Sequence, residues 1–125
     1  MIKFETDAYN MTIHDDLYLE FMVKRDVVLK EQDVWLSKQQ AEAAFPGKKF
    51  FVLLSGEEFF QVTKETREVV ASTKFSTHIA AVALFSEELA MKILGNLYIK
   101  INRPEVPTKF FTEKNKAEIW LRSLM

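Results

Sequence analysis

Apolar and polar residues alternate along the N-terminal quarter of the chain. Met11 and Ile13, then Leu17, Leu19, Phe21 and Val23, fall on one side, with Tyr18, Glu20, Met22 and Lys24 on the other. A period of two is that of a β-strand with one face toward a core. His14, Asp15 and Asp16 separate the two runs, so the pattern predicts a β-hairpin, with Ile2 to Glu5 as a short leading strand. From Lys30 to Ala44 the chain turns rich in Gln, Glu, Lys and Ala, with Val34, Ala41 and Phe45 at helical spacing, and Pro46-Gly47 stops that helix. Phe50 to Leu54 has no polar break and reads as a strand covered on both faces. Thr63 to Ser72 follows as a second helix, with Thr63 as its N-cap.

The run Ile79 to Phe85 is a second doubly covered strand, and its alanines leave room for a helix to approach closely. Ser86-Glu87-Glu88 has the chemistry of a helix start, since a hydroxyl accepts from free amides and carboxylates suit the positive first turn. The stripe Ala90, Ile93, Leu94, Leu97 and Ile101 carries this third helix to about Lys100, and Pro104 and Pro107 break it. Gly95 inside it costs about 1 kcal/mol relative to alanine. Lys109 to Phe111 is a short last strand. Thr112 is expected to cap a final helix marked by Ala117, Trp120, Leu121 and Leu124. Strands and helices alternate from residue 48 onward. The expected fold class is therefore α/β, a mixed sheet with an antiparallel N-terminal hairpin, crossover connections and about four helices.

Composition narrows the field. The chain has 125 residues, 17 basic and 18 acidic, for a net charge of −1, and its hydrophobic fraction is 48%. That suffices for one domain, residues 1–125, with its own core. The charge balance argues against a nucleic-acid partner. No cysteine is present, which removes disulfides, thiolate metal sites and thiol nucleophiles. The longest apolar run has seven residues, far short of the roughly 20 of a membrane helix, so no membrane insertion is expected. Residues 1–20 carry Glu5, Asp7, Asp15 and Asp16 and no signal-like apolar stretch, which sets a cytoplasmic location as the expectation.

The stretch from Gly95-Asn96-Leu97 through Asn102-Arg103-Pro104 to Phe111-Thr112-Glu113, Ala117 and Trp120-Leu121 resembles the STAS/SpoIIAA-like family of small bacterial domains. With the element order matching from about Leu17, the resemblance covers some 110 residues and implies a SpoIIAA-like layout. In the regulatory branch of that family, an Asp-Ser-x-Gly motif after a central strand carries a serine that is phosphorylated at the start of a helix. The matching region here is Leu54-Ser55-Gly56, where the aspartate is absent, the glycine comes one residue early and Phe59-Phe60 intervene before Thr63. Ser55 then reads as a loop serine beside a turn glycine, with a switch role as the sharper alternative.

Candidate chemistry is sparse. His14 beside Asp15 and Asp16 is read as a polar turn rather than a metal corner, and His78 as a boundary residue before a buried strand rather than a general base. Glu57-Glu58 are adjacent, and adjacent carboxylates rarely converge on one substrate atom. No phosphate loop, nucleophile elbow or zinc motif occurs. Eleven phenylalanines stand out, three times as neighbouring pairs. Phe50-Phe51 and Phe110-Phe111 lie in strands, where neighbours point to opposite faces. Phe59-Phe60 lies in a connection, where simple core packing is the plain reading and lining an apolar pocket or a partner surface is the sharper alternative.

The resulting expectation is a non-enzymatic STAS-like regulatory or interaction module, bound to a protein partner or to itself through its edge strand or through the segment with Ser55, Gly56, Phe59, Phe60 and Thr63. No cofactor or metal is expected. The alternative is a carrier of an apolar small molecule or lipid, because the resemblance extends in layout to Sec14-like lipid-binding domains.

Overall fold

A computed structural model describes residues 1–125. The two unbroken apolar runs form the middle of one sheet. Strand β5 (Phe50–Gly56) lies parallel to β7 (Ile79–Phe85), with Val52 opposite Val82 and Leu54 opposite Leu84. Around this pair the six-stranded order is β1-β2-β3-β5-β7-β8, where β1 is Ile2–Glu5, β2 Tyr9–Ile13, β3 Tyr18–Val23 and β8 Thr108–Phe111. The pairs β1-β2 and β2-β3 are antiparallel, and the remaining pairs are parallel. The alternation in the first quarter is thus a meander, and its turn holds Leu17 in left-handed backbone at φ 71°. Two further strands of two residues each, β4 (Val28–Leu29) and β6 (Gln61–Val62), pair in parallel beside the main sheet. They are too short to leave a periodic signal in the sequence.

Helices α1 (Glu31–Ala44), α2 (Lys64–Ala71) and α3 (Leu89–Asn102) connect successive parallel strands, whereas α4 (Lys114–Ser123) follows β8. The three crossover helices share one sheet face, as successive crossovers of one hand require when each steps to the next neighbour. On that face Phe50, Val52, Phe21 and Met11 pack with Val34 and Ala41 of α1. On the other face Leu53, Ala81 and Ala83 meet Ala117 and Leu121 of α4. The alanines of β7 allow that close approach, and Leu121 is fully buried against them. Such burial contributes roughly 1.5–3 kcal/mol for one leucine. Adjacent phenylalanines split as expected for strands. Phe50 enters the first cluster and Phe51 packs on the second.

Two caps differ from the sequence expectation. The last helix starts at Lys114 with Glu113 in the N-cap position and no side-chain cap, so Thr112 does not serve that role. Thr63 does, its Oγ1 accepting from the Thr66 amide at 3.1 Å. Ser86 Oγ accepts from the Glu88 amide at 3.0 Å and shapes the turn into α3, although Glu88 occupies the N-cap position. The largest departure concerns α3 itself. Its sequence stripe of Ile93, Leu94, Leu97 and Ile101 is exposed, none of its residues is buried, and its half-buried face is Met91, Gly95, Tyr98 and Asn102. The helix sits over the edge strand β8 and beside α2 rather than over the centre of the sheet.

Candidate functional site: an apolar cleft beneath the third crossover helix

The position of α3 follows from one close contact. The Phe110 ring of β8 lies directly under Gly95, where a Cβ would stand 2.5 Å from Phe110 Cδ2. Glycine permits that approach at a cost in helix propensity. Phe111, pointing the other way, stacks obliquely on Trp120 of α4 at 5.6 Å. With α3 pinned to the sheet's edge, the carboxyl ends of β5 and β7 lack a helix packed directly upon them. What remains is a cleft of about 720 Å³, walled by Leu54 and Leu84 of the sheet, Val70 of α2, Met91 and Leu94 of α3, and Phe60. Of its 27 lining residues 18 are hydrophobic, and the cleft opens to the surface. A smaller void of about 60 Å³ shares Val34, Leu54, Val70, Ile79 and Val82 with it, so packing on this face is looser than against α4.

The polar groups on the wall are few. Lys64, Arg67 and Glu68 all come from α2, and Lys64 pairs with Glu68 at 4.0 Å. Arg67 donates from Nη1 to the Val62 carbonyl at 2.6 Å, and its guanidinium meets no carboxylate. Tyr98 and Asn102, one turn apart on α3, also face the cleft. Burial pushes the Tyr98 phenol up to about 12, so it stays a neutral donor at physiological pH.

The segment singled out in the sequence divides. Ser55 and Gly56 are not in a loop. They are the last residues of β5, half-buried opposite Met22 and Val23 of β3, because the strand runs two residues beyond its apolar run. Gly56 admits the Phe60 ring, since a Cβ there would lie 2.5 Å from Phe60 Cε1 and 2.7 Å from the Glu58 carbonyl. Ser55 therefore does not stand at a helix start. Phe60 is 5% exposed and Phe59 43%, and both line the cleft. Phe60 is core and wall at once. Thr63 caps α2, the helix that carries the cleft's charges. Glu58 pairs with Arg25 at 2.8 Å, away from its neighbour Glu57. Arg67, Tyr98 and Asn102 left no signal in the sequence, because their shared cleft depends on where β8 places α3.

The histidines have structural partners. His14 Nε2 lies 2.9 Å from Glu20, and the ring stacks on Tyr18 at 5.2 Å. Asp16 instead accepts from Arg122 of α4 at 2.7 Å. Burial works to raise the Glu20 carboxyl, but hydrogen bonds from His14 and Lys114 prevail and hold it lower than usual. The Tyr18 phenol is held protonated by burial and by its hydrogen bond to Glu118 at 2.8 Å. His78 ends the short 3-10 turn Ser76–His78 and is buried, its Nδ1 donating to the Phe75 carbonyl at 3.0 Å. Lys38 of α1 donates to the same carbonyl and to Thr77 Oγ1, each at 2.6 Å, and pairs with Glu42 at 3.2 Å. That network ties α1 to the entry of β7.

A protein-family model described as a domain of unknown function (DUF7793) matches residues 11–125. No curated protein matches the sequence. A solved structure from Shewanella loihica PV-4, an uncharacterised protein of the DUF3478 family with a SpoIIAA-like fold, is 17% identical. It aligns over 94% of this chain and 98% of its own with a TM-score of 0.61. A protein of unknown function from Arthrobacter sp. FB24 is 22% identical over 94% of this chain and 95% of its own, with a TM-score of 0.34. The first of these shows the SpoIIAA-like fold that the sequence implied. No helix is long and apolar enough to cross a membrane.

Burial, with the Lys38 charge adding to it, pushes the His78 imidazole down from 6.5 to about 4. In the unfolded chain it titrates near 6.5, so protonation favours unfolding. Its contribution is complete above pH 6.5, declines between 6.5 and about 4, and levels off below. Urea unfolding at pH 7 and pH 4.5 is expected to show a loss on the order of 2–3 kcal/mol from this group. His78→Asn should flatten that part of the profile. Equal pH slopes in the two proteins would refute the assignment.

Proposed function

The chain belongs to the DUF7793 family, a domain of unknown function, and we propose that it works as a non-enzymatic binder of an apolar small molecule held in the cleft beneath α3. The observation that carries this reading is the cleft itself. At about 720 Å³ it falls within the roughly 300–1,000 Å³ of small-molecule sites, and its walls combine apolar side chains with a few polar groups, as such sites do. An apolar cavity of about 150 Å³ already accepts one benzene ring. The chain's own side chains do not close over Leu54, Leu84, Met91 and Leu94, so dispersion contacts that a packed core would make there are open to an occupant. A ligand supplies them.

A neutral apolar fluorophore such as N-phenyl-1-naphthylamine tests the proposal. Saturable, micromolar binding near one probe per chain is expected. Met91→Trp, which places an indole in the cleft from a half-buried helix position, should weaken binding at least about tenfold while the thermal midpoint stays within a few degrees. Non-saturable binding, or an unchanged affinity in the folded variant, would defeat it.

A second reading, a STAS-like module that binds a protein partner, is favoured by the outer side of α3. There Leu89 is 71% exposed and Ile93 54%, neighbours of the kind that mark association surfaces. Leu89 and Ile93 do not line the cleft, so Leu89→Lys with Ile93→Lys separates the two readings. Sedimentation showing concentration-dependent association that the double variant abolishes supports self-association, and a monomer in both proteins discards it.

A further inference from the structure

The charges on the cleft wall specify more than apolarity. This step rests on the binding reading above and names the ligand class. Three side chains there carry charge, and two of them, Lys64 and Glu68, form an i,i+4 pair one turn apart on α2. The third, Arg67, is half-buried and meets no acidic partner anywhere in the chain. One of its N–H groups is used on the Val62 carbonyl. A guanidinium has five such donors in a rigid fork that fits carboxylate or phosphate oxygens two at a time. The three charged side chains of the cleft thus sum to one net positive charge, on a lining that is otherwise mostly apolar. Partial withdrawal from water makes that charge worth pairing.

On the wall formed by α3, Tyr98 and Asn102 add neutral hydrogen-bonding groups to the same cleft, and neither side chain has a hydrogen-bond partner within the protein. An uncharged hydrocarbon would offer no acceptor to the remaining Arg67 N–H groups and no partner to Tyr98 or Asn102. A compact polar metabolite would leave Leu54, Leu84, Met91 and Phe110 without contacts. A molecule with one alkyl chain and one acidic head satisfies both sets.

We infer that the cleft takes a single-chain anionic amphiphile, its tail along the β5, β7 and α3 side chains and its carboxylate or phosphate paired with Arg67. Recognition divides by chemistry: the tail provides burial in proportion to its length, and the head provides the preference for an anion over a neutral molecule of the same length.

Displacement of N-phenyl-1-naphthylamine from the full chain is the test, with myristate, myristyl alcohol, octanoate and a myristoyl lysophosphatidic acid as competitors below their aggregation limits. Myristate is expected to bind at least tenfold more tightly than myristyl alcohol and more tightly than octanoate. Arg67→Met should reduce the acid-to-alcohol ratio to near one, with alcohol affinity within twofold of the wild type. The lysophosphatidic acid arm distinguishes the two head groups: a preference for it over myristate identifies phosphate as the anion, and the reverse identifies carboxylate. If Arg67→Met does not fold, Arg67→Lys replaces it, and a preference reduced but not lost is the expected result. Equal binding of acid and alcohol by the wild type, or a preference that survives in Arg67→Met, overturns the assignment of the head group and leaves the apolar cleft standing. Failure of every competitor to displace a bound probe overturns the amphiphile assignment and leaves the apolar cleft standing, whereas failure of the probe to bind overturns both.

Discussion

The structure depends on the parallel contact between β5 and β7. These two strands have no edge of their own, so every residue along them needs cover on one face or the other. One face is closed by α4, whose Ala117 and Leu121 fit against Ala81 and Ala83 and leave no comparable space. The other is closed over Phe50 and Val52 by α1. Toward the carboxyl ends, at Leu54 and Leu84, cover must come from α3. That helix is held at β8 by the Gly95 and Phe110 contact and covers the strand ends from the side. The cleft is the difference between needing a lid and receiving one displaced toward the edge.

The same displacement explains why α3 is apolar on more than one side. Residues that face the cleft, such as Met91 and Leu94, and residues on the outer ridge, such as Leu89 and Ile93, cannot all be buried by one neighbouring edge. A helix with no buried residue gains little from tertiary contacts. Opening it locally costs correspondingly little. A wall that moves at low cost suits a site whose occupant must enter between packed elements.

Much of this was legible in the sequence, and the reasons for success and failure are physical. Strands β2, β3, β5 and β7 showed themselves because the pleat imposes a period of two, or none where both faces are covered. Helix α4 was marked by Ala117, Trp120 and Leu121 because it has one dry face. By contrast, Ser55 and Gly56 looked like a loop, since polar and small residues carry no strand signal even when the ladder with Met22 and Val23 continues through them. Thr112 has the right chemistry for a cap, yet the chain places Glu113 at that position. The stripe on α3 announced the helix, and its Leu94, Leu97 and Ile101 line the cleft, but as exposed rather than buried side chains, because the helix is seated on a ring in β8 fifteen residues away. Phe59 and Phe60 stood out in the sequence as a ring pair in a connection, open to core packing or to a pocket, but Arg67, Tyr98 and Asn102 did not, as nothing local distinguishes them from surface residues on other helices.

The central claim is that α3 is a loosely seated wall over an apolar cleft while α4 is packed into the core. Amide hydrogen exchange of the ligand-free protein, resolved by peptide, tests it most directly. The account predicts that amides in α3 exchange on the order of a hundredfold faster than those of α4 and β7, which open only with the core. Protection of α3 equal to that of α4 would mean that the helix is packed as tightly as the rest, and would contradict the account.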